Sequence, residues 1–216
     1  MNDLDADVLL RAYAYGVFPM AESADANDLF WVDPEMRGVL PLDTFHMPRR
    51  LRRTVRASPY RVTIDQCFRD VMIACASPRE DGSGTWINET IIDLYCQLHQ
   101  RDHAHSIEVW EGEKLVGGLY GVSLGAVFFG ESMFSRARDA SKIALIYLVA
   151  RLKRGGYTLL DTQFVTSHLS QFGAIEIERD VYKLQLAHAI VETGRFTQLP
   201  VDADPAEILQ SITQAS

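Results

Sequence analysis

Tyr157-Thr-Leu-Leu-Asp-Thr-Gln-Phe164 follows the pair Gly155-Gly156, which closes a long apolar stretch with helical spacing from Ser141 to Arg154. The octet reads as a strand, so the chain here leaves a helix and re-enters a sheet. Side chains alternate along a strand, which places Asp161 and Gln163 on one face and Thr162 on the other. A carboxylate and an amide in an otherwise apolar strand are costly to bury unless something pairs with them. A sheet surface beside such a helix is where an enzyme with helices packed on a sheet would carry its site.

Working outward, Ser106-Ile-Glu-Val-Trp110 alternates like a strand, and Glu111-Gly-Glu-Lys114 is a hairpin turn. Leu115 to Val122 and Ala126 to Met133 are two more strands joined by Ser123-Leu-Gly125. Upstream, residues 4–16 have helical spacing, Val17-Phe-Pro-Met20 is an apolar turn, and 21–37 are loop-like. Tyr60 to Ile64 is a strand candidate; Asp65 and Asn88 are candidate caps for helices over 66–77 and to about His99. Downstream come a short helix over 166–172, a strand over 175–179, a helix over 180–193 and a weakly ordered tail. Antiparallel strands, a crossover helix and a further strand give an α+β class. The expected organisation is a small N-terminal domain (1–57) and an acetyltransferase-like (GNAT-type) domain (58–216) with a mixed, mainly antiparallel sheet flanked by helices.

The acetyltransferase order of elements invites a coenzyme A site at the start of the crossover helix. Ser132-Met-Phe-Ser-Arg-Ala-Arg-Asp-Ala-Ser141 contains no glycine, which argues against that cradle, although Arg136, Arg138 and Lys142 suit another phosphate. With 216 residues, 47% of them hydrophobic, the chain can bury a substantial core. No apolar run is long enough to span a membrane, and the acidic start lacks a signal pattern, so a cytoplasmic protein is expected. Three cysteines without a CxxC pair fit reduced thiols rather than a metal site. His103 and His105 alternate on a strand without an obvious third ligand, so a hydrogen-bonding role is expected and no metal.

The net charge is −8, yet residues 49–61 carry six arginines and no acid, leaving −14 for the rest. Such a patch suits a focused polyanion contact; the alternative is a solvated helix face paired with acids elsewhere. Glu131 lies in the apolar run Phe128-Phe-Gly-Glu-Ser-Met-Phe-Ser135. Strict alternation groups it with Phe129, Met133 and Ser135, with Phe128 facing away unless Gly130 marks a bulge. An acid there binds a cation or pairs with an arginine of the basic stretch.

Several strings resemble the bacterial leucyl/phenylalanyl-tRNA–protein transferase family. They are Tyr13-Ala-Tyr-Gly-Val-Phe-Pro19, Gly84-Thr-Trp-Ile87, His103-Ala-His-Ser-Ile-Glu-Val-Trp110, Leu115-Val-Gly-Gly-Leu-Tyr-Gly121, Phe129-Gly-Glu-Ser-Met-Phe-Ser135, Asp139-Ala-Ser-Lys142, and the Asp-x-Gln strand followed by His168-Leu. They run in order over residues 13–174. The resemblance implies transfer of leucine, phenylalanine or, less well, methionine from aminoacyl-tRNA to the α-amine of proteins beginning with Arg or Lys, marking them for degradation by the N-end rule. It implies no cofactor, because the ester is already activated, and the reading expects a monomer.

By the same resemblance Glu131 faces the acceptor's cationic residue, and Asp161 and Gln163 form the catalytic centre. The proton acceptor stays open between Asp161, the better base, and the tRNA ribose hydroxyl. An aminoacyl and adenosine pocket would draw on Trp86, Leu119, Phe128, Met133, Ser135 and Leu148. Met20 stands where relatives often carry a tryptophan. Arg49, Arg50, Arg52, Arg53 and Arg56 would hold the tRNA backbone. Two rival functions are a coenzyme A-dependent acyltransferase and a non-catalytic tRNA-binding module.

Overall fold

A computed structural model describes residues 5–21, 29–57, 59–77 and 85–213. Leu4, residues 78–83, and Gly84 of the Gly-Thr-Trp-Ile string lie outside them.

The large sheet has seven strands. β5 (Ala104–Glu111), β6 (Lys114–Leu124) and β7 (Val127–Ser135) form the antiparallel ladder expected from the hairpin turns, and β4 (Arg61–Ile64) pairs antiparallel with β5 at the edge. Helix α5 (Ala140–Arg154) then carries the chain across to β8 (Leu159–Gln163), which pairs parallel to β7. This is the mixed, mainly antiparallel sheet predicted, with an α+β arrangement of elements. The far edge holds a departure from expectation. β3 (Met36–Val39), from a segment that reads as loop, pairs antiparallel with β8 and with β9 (Ile175–Glu178). β3, which lies before residue 57, is therefore an inner strand of the large sheet. β1 (Phe18–Ala21) and β2 (Leu29–Val32) pair antiparallel in a separate two-stranded sheet, where an apolar turn and a loop were expected.

One face of the sheet packs α1 (Ala6–Ala14), α3 (Phe68–Ala76), α4 (Glu89–Gln100) and α7 (Arg179–Ala189), through residues such as Leu9, Tyr13, Met72, Tyr95 and Leu186. The other face packs α5 together with α2 (Arg49–Ala57) and α8 (Pro205–Thr213). α5 is buried nearly all round, which requires covering on its outer side as well. α8 supplies that cover with Ile208, Leu209 and Ile212, so the tail expected to be weakly ordered is a packed helix. Arg151 of α5 reinforces it from within, donating to the carbonyls of Phe196, Leu199 and Pro200.

The caps follow the sequence in part. Asn88 accepts from the Ile91 N–H and starts α4 as expected. Asp65 does not cap α3. Its carboxylate instead accepts from the Ser106 N–H and meets His105 Nδ1 at 2.8 Å. His103 Nδ1 likewise meets the Ser123 carbonyl, at 3.2 Å, the hydrogen-bonding role predicted for the pair.

Candidate active site

β7 and β8 pair over three residues, ending at Phe129 and Asp161, and both strands then run on. On the other side of β7 the ladder shifts register: Tyr120 faces Ser132 but Gly121 faces Gly130, so Glu131 is an extra residue. This bulge reverses the side-chain alternation beyond it. Phe128 and Met133 consequently pack on the α5 face, while Phe129 and Phe134 pack on the opposite one. Between the diverging strands lies a cavity of about 480 Å³, within the range of small-ligand sites.

Glu131 stands at the cavity wall, half-buried. The hydroxyl of Tyr13 donates to its Oε1 at 2.7 Å and that of Tyr95 to its Oε2 at 3.3 Å. Burial pushes this carboxyl up to about 7, against the two tyrosine bonds that favour its charged form. Burial, and then the Glu131 charge, hold Tyr13 and Tyr95 well above the usual phenol range, so both remain donors. Glu131 shares its face with Phe129, on which Tyr13 rests at 4.7 Å, but not with Met133 and Ser135 as simple alternation required. Among the described residues, it pairs with no arginine of the basic stretch.

Asp161 does not line the cavity. It is fully buried behind the wall, where Arg37 Nη2 lies 2.6 Å from its Oδ2 and Arg37 Nε 3.0 Å from its Oδ1. The Tyr182 hydroxyl and the Gln163 N–H complete its shell at 2.7 and 2.8 Å. A carboxylate offers about four acceptor sites, so these donors saturate it. Asp161 is thus set behind the wall with its acceptor sites engaged. Arg37 is itself clamped between the rings of Phe18 and Tyr182, 4.6 and 4.5 Å from its guanidinium carbon, and donates to the Gly16 carbonyl.

Gln163 is left-handed at φ 56°, and the bond from its N–H to Asp161 holds that turn. Left-handed backbone costs a non-glycine residue about 1–2 kcal/mol, which the carboxylate offsets. The turn breaks the strand alternation, so Gln163 does not follow Asp161 to the far face. Both Gln163 and Thr162 line the cavity, against the expectation that Thr162 would face away. β3 must approach closely for this: a side chain on Gly38 would lie 2.7 Å from the Phe164 carbonyl carbon.

The apolar part of the wall comprises Leu119, Met133, Leu145, Leu148 and Leu160, with Met20, Trp86 and Ser135 also lining it. Phe128 is the exception among the expected pocket residues. It is fully buried in the core, stacked on Phe196 at 5.6 Å. Arg49, Arg52, Arg53 and Arg56 are exposed on α2, whose Leu51 and Val55 face the core at helical spacing. Arg50 instead grips Asp139, the residue that opens α5, and Lys142 lies 3.5 Å from the same carboxylate. α2 thus abuts the end of α5 from which Ser141 reaches the cavity.

Sequence reasoning did not single out Arg37, Tyr182 or Tyr95, nor a role for Tyr13 and His168. Among the described residues, five buried side-chain polar atoms have no partner within the protein, and four belong to cavity residues: Tyr120 Oη, Thr162 Oγ1, Gln163 Nε2 and His168 Nε2. Orphan polar atoms are rare in folded proteins, and four of these five belong to residues of the cavity wall.

Residues 39–187 match the family model described as leucyl/phenylalanyl-tRNA protein transferase, and residues 2–35 match that of its N-terminal domain. The leucyl/phenylalanyl-tRNA–protein transferase of Maricaulis maris is 55% identical over 216 residues, covering 100% of both chains. That of Paramagnetospirillum magneticum is 59% identical over 196 residues, covering 91% of this chain and 94% of the relative. That of Caulobacter vibrioides is 57% identical over 210 residues, covering 97% of each. Among solved structures, L-PGS from Bacillus licheniformis aligns at a TM-score of 0.39 and 16% identity, over 76% of this chain and 54% of that one. A GCN5-related N-acetyltransferase-like protein from Streptococcus suis aligns at 0.33 and 15%, over 80% and 64%. Likenesses that loose have no bearing on function, whereas the sequence matches span nearly the whole chain and show that it belongs to the leucyl/phenylalanyl-tRNA–protein transferase family, a family of aminoacyltransferases.

Proposed function

We propose that this protein transfers leucine, phenylalanine or, less well, methionine from aminoacyl-tRNA to the α-amine of proteins beginning with Arg or Lys. It acts in the cytoplasm as a monomer and marks those proteins for degradation by the N-end rule. The observation that carries this reading is one cavity bordered by an apolar slot, the Glu131 carboxylate and the Gln163 amide. An aliphatic or aromatic aminoacyl side chain fits the slot, and unbranched, polarisable Met133 suits more than one occupant. Glu131 pairs with the acceptor's first side chain, and the amide of Gln163 hydrogen-bonds the attacking amine. Asp161 acts at one remove, holding the turn that aims Gln163. Among the described residues, no helix is long and apolar enough to cross a membrane.

The chemistry asks little of the protein. The ester is activated, and an α-amine with a pKa of about 7.7–8.0 is partly nucleophilic at neutral pH. Positioning, removal of one proton and oxyanion stabilisation supply the rest. The exposed arginines of α2, beside the α5 end of the cavity, hold the tRNA backbone without reading its sequence. Radiolabelled Leu-tRNA offered with peptides starting in Arg, Lys or Ala tests the proposal. Label should enter the first two peptides and not the third. Retention of acyl-coenzyme A, or charged tRNA that binds but is never discharged, would favour the rival functions.

A further inference from the structure

We propose that His168 is the proton carrier of the transfer reaction: Nε2 takes the proton from the attacking α-amine and returns it to the ribose oxygen that leaves. The inference rests on the aminoacyl-transfer reading above and adds to it a group that the reaction needs.

The geometry begins at the left-handed turn of Gln163. The chain doubles back there, with the Phe164 N–H donating to the Thr162 carbonyl at 2.6 Å. A short helix follows at once, α6 (Ser167–Ser170), capped by Thr166. Doubling back brings His168 over the same cavity as Gln163 and Glu131. The ring meets Phe172 edge-on at 5.7 Å, and Nε2 is buried without a protein partner.

Forming the amide bond and breaking the ester C–O bond moves one proton from nitrogen to oxygen, with no net gain or loss. A carrier must accept and release it near neutral pH. The other polar groups at the site do not qualify. Asp161 is saturated behind the wall. The amide of Gln163 and the hydroxyls of Ser132, Ser135, Ser141, Thr162 and Thr166 are too weakly basic. Tyr120 is a phenol that burial pushes well above its usual range. Glu131 accepts from two tyrosines and is assigned to the acceptor's cation. Among the protein's own groups at the cavity His168 remains, and burial, aided by Lys142, lowers it from its ordinary value and so keeps it neutral, as a carrier must start. Lys142 faces it from α5 and is itself paired with Asp139.

The test is single-turnover transfer from Leu-tRNA to an Arg-starting peptide, both saturating, with His168→Ala and His168→Gln. Both variants should slow transfer at least about a hundredfold, with Leu-tRNA affinity within about twofold of wild type. Added imidazole should accelerate His168→Ala in proportion to its free-base concentration. Imidazole rescue is a response that a merely structural histidine would not give. If His168→Ala fails to fold, His168→Gln fills much of the same space without a basic nitrogen and carries the test. A His168→Gln rate close to wild type, or no imidazole rescue, overturns the proposal alone. A wild-type protein that transfers nothing overturns the aminoacyl-transfer reading with it.

Discussion

Arg37 and Asp161, 124 residues apart in sequence, form a fully buried ion pair across neighbouring strands, with Nη2 2.6 Å from Oδ2. The pair sets the backbone turn from which Gln163 projects. Removing one partner strands the other charge in the core. Arg37→Met should therefore destabilise the protein by about 3–5 kcal/mol in urea denaturation. Arg37→Met combined with Asp161→Asn should recover part of that loss, because the uncompensated charge is gone. Losses that simply add would mean the two groups do not act as a unit.

Gln163 allows backbone and side chain to be separated. Gln163→Gly adopts the left-handed conformation at no steric cost, so stability should be unchanged or slightly higher. Transfer should still fall at least about tenfold, or about 1.4 kcal/mol of transition-state stabilisation. Full activity in a well-folded Gln163→Gly protein would remove the amide from the mechanism. Thr162→Val keeps the shape and deletes a buried hydroxyl that has no protein partner. It should be neutral for folding and should weaken transfer, because Thr162 lines the cavity.

Much of this arrangement was legible in the sequence, and the failures share a cause. The hairpin ladder, the crossover helix and β8 follow from periodicity and glycine stops, which are local. β3 was missed because four residues beside Pro34 carry no period of their own; their pairing with β8 and β9 makes them a strand. Arg37 looked like a loop charge for the same reason. The faces of Gln163, Met133 and Ser135 were misread because a left-handed residue and a bulge each interrupt strict alternation. Gly130 signalled the bulge beforehand, but nothing in the sequence marks a glutamine at positive φ.

Glu131 couples stability to pH with a definite sign. Its carboxyl is raised from an ordinary 4.5 to about 7 by burial. Between those values the folded chain holds a proton that the unfolded chain has lost. Stability from this group therefore falls as pH rises through that window and levels off above about 7. The wild type should lose as much as about 3 kcal/mol relative to Glu131→Gln between pH 4.5 and 7. Parallel urea titrations of the two proteins check this. A constant difference across the range would mean that Glu131 is not displaced.

Exposed arginines of α2 should govern the salt dependence of tRNA binding. If Arg49, Arg52, Arg53 and Arg56 each neutralise one phosphate, replacing all four with alanine should flatten the log–log salt slope by about 3. Arg50→Ala should change it less, since that side chain is committed to Asp139. An unaltered slope in the fourfold variant would move the contact elsewhere, with Arg136, Arg138 and Lys142 the next surface to test.

The central claim is that the Glu131 carboxylate reads the acceptor's first residue while the rest of the cavity handles the aminoacyl group. It is tested most directly by the ratio of kcat/KM for an Arg-starting peptide to that for an Ala-starting one, in wild type and in Glu131→Gln, with the same Leu-tRNA. A charge-assisted hydrogen bond is worth about 1.5–3 kcal/mol, so the ratio should fall by about tenfold to a hundredfold in the variant. Leu-tRNA affinity should stay the same. A ratio unchanged by Glu131→Gln would contradict the account.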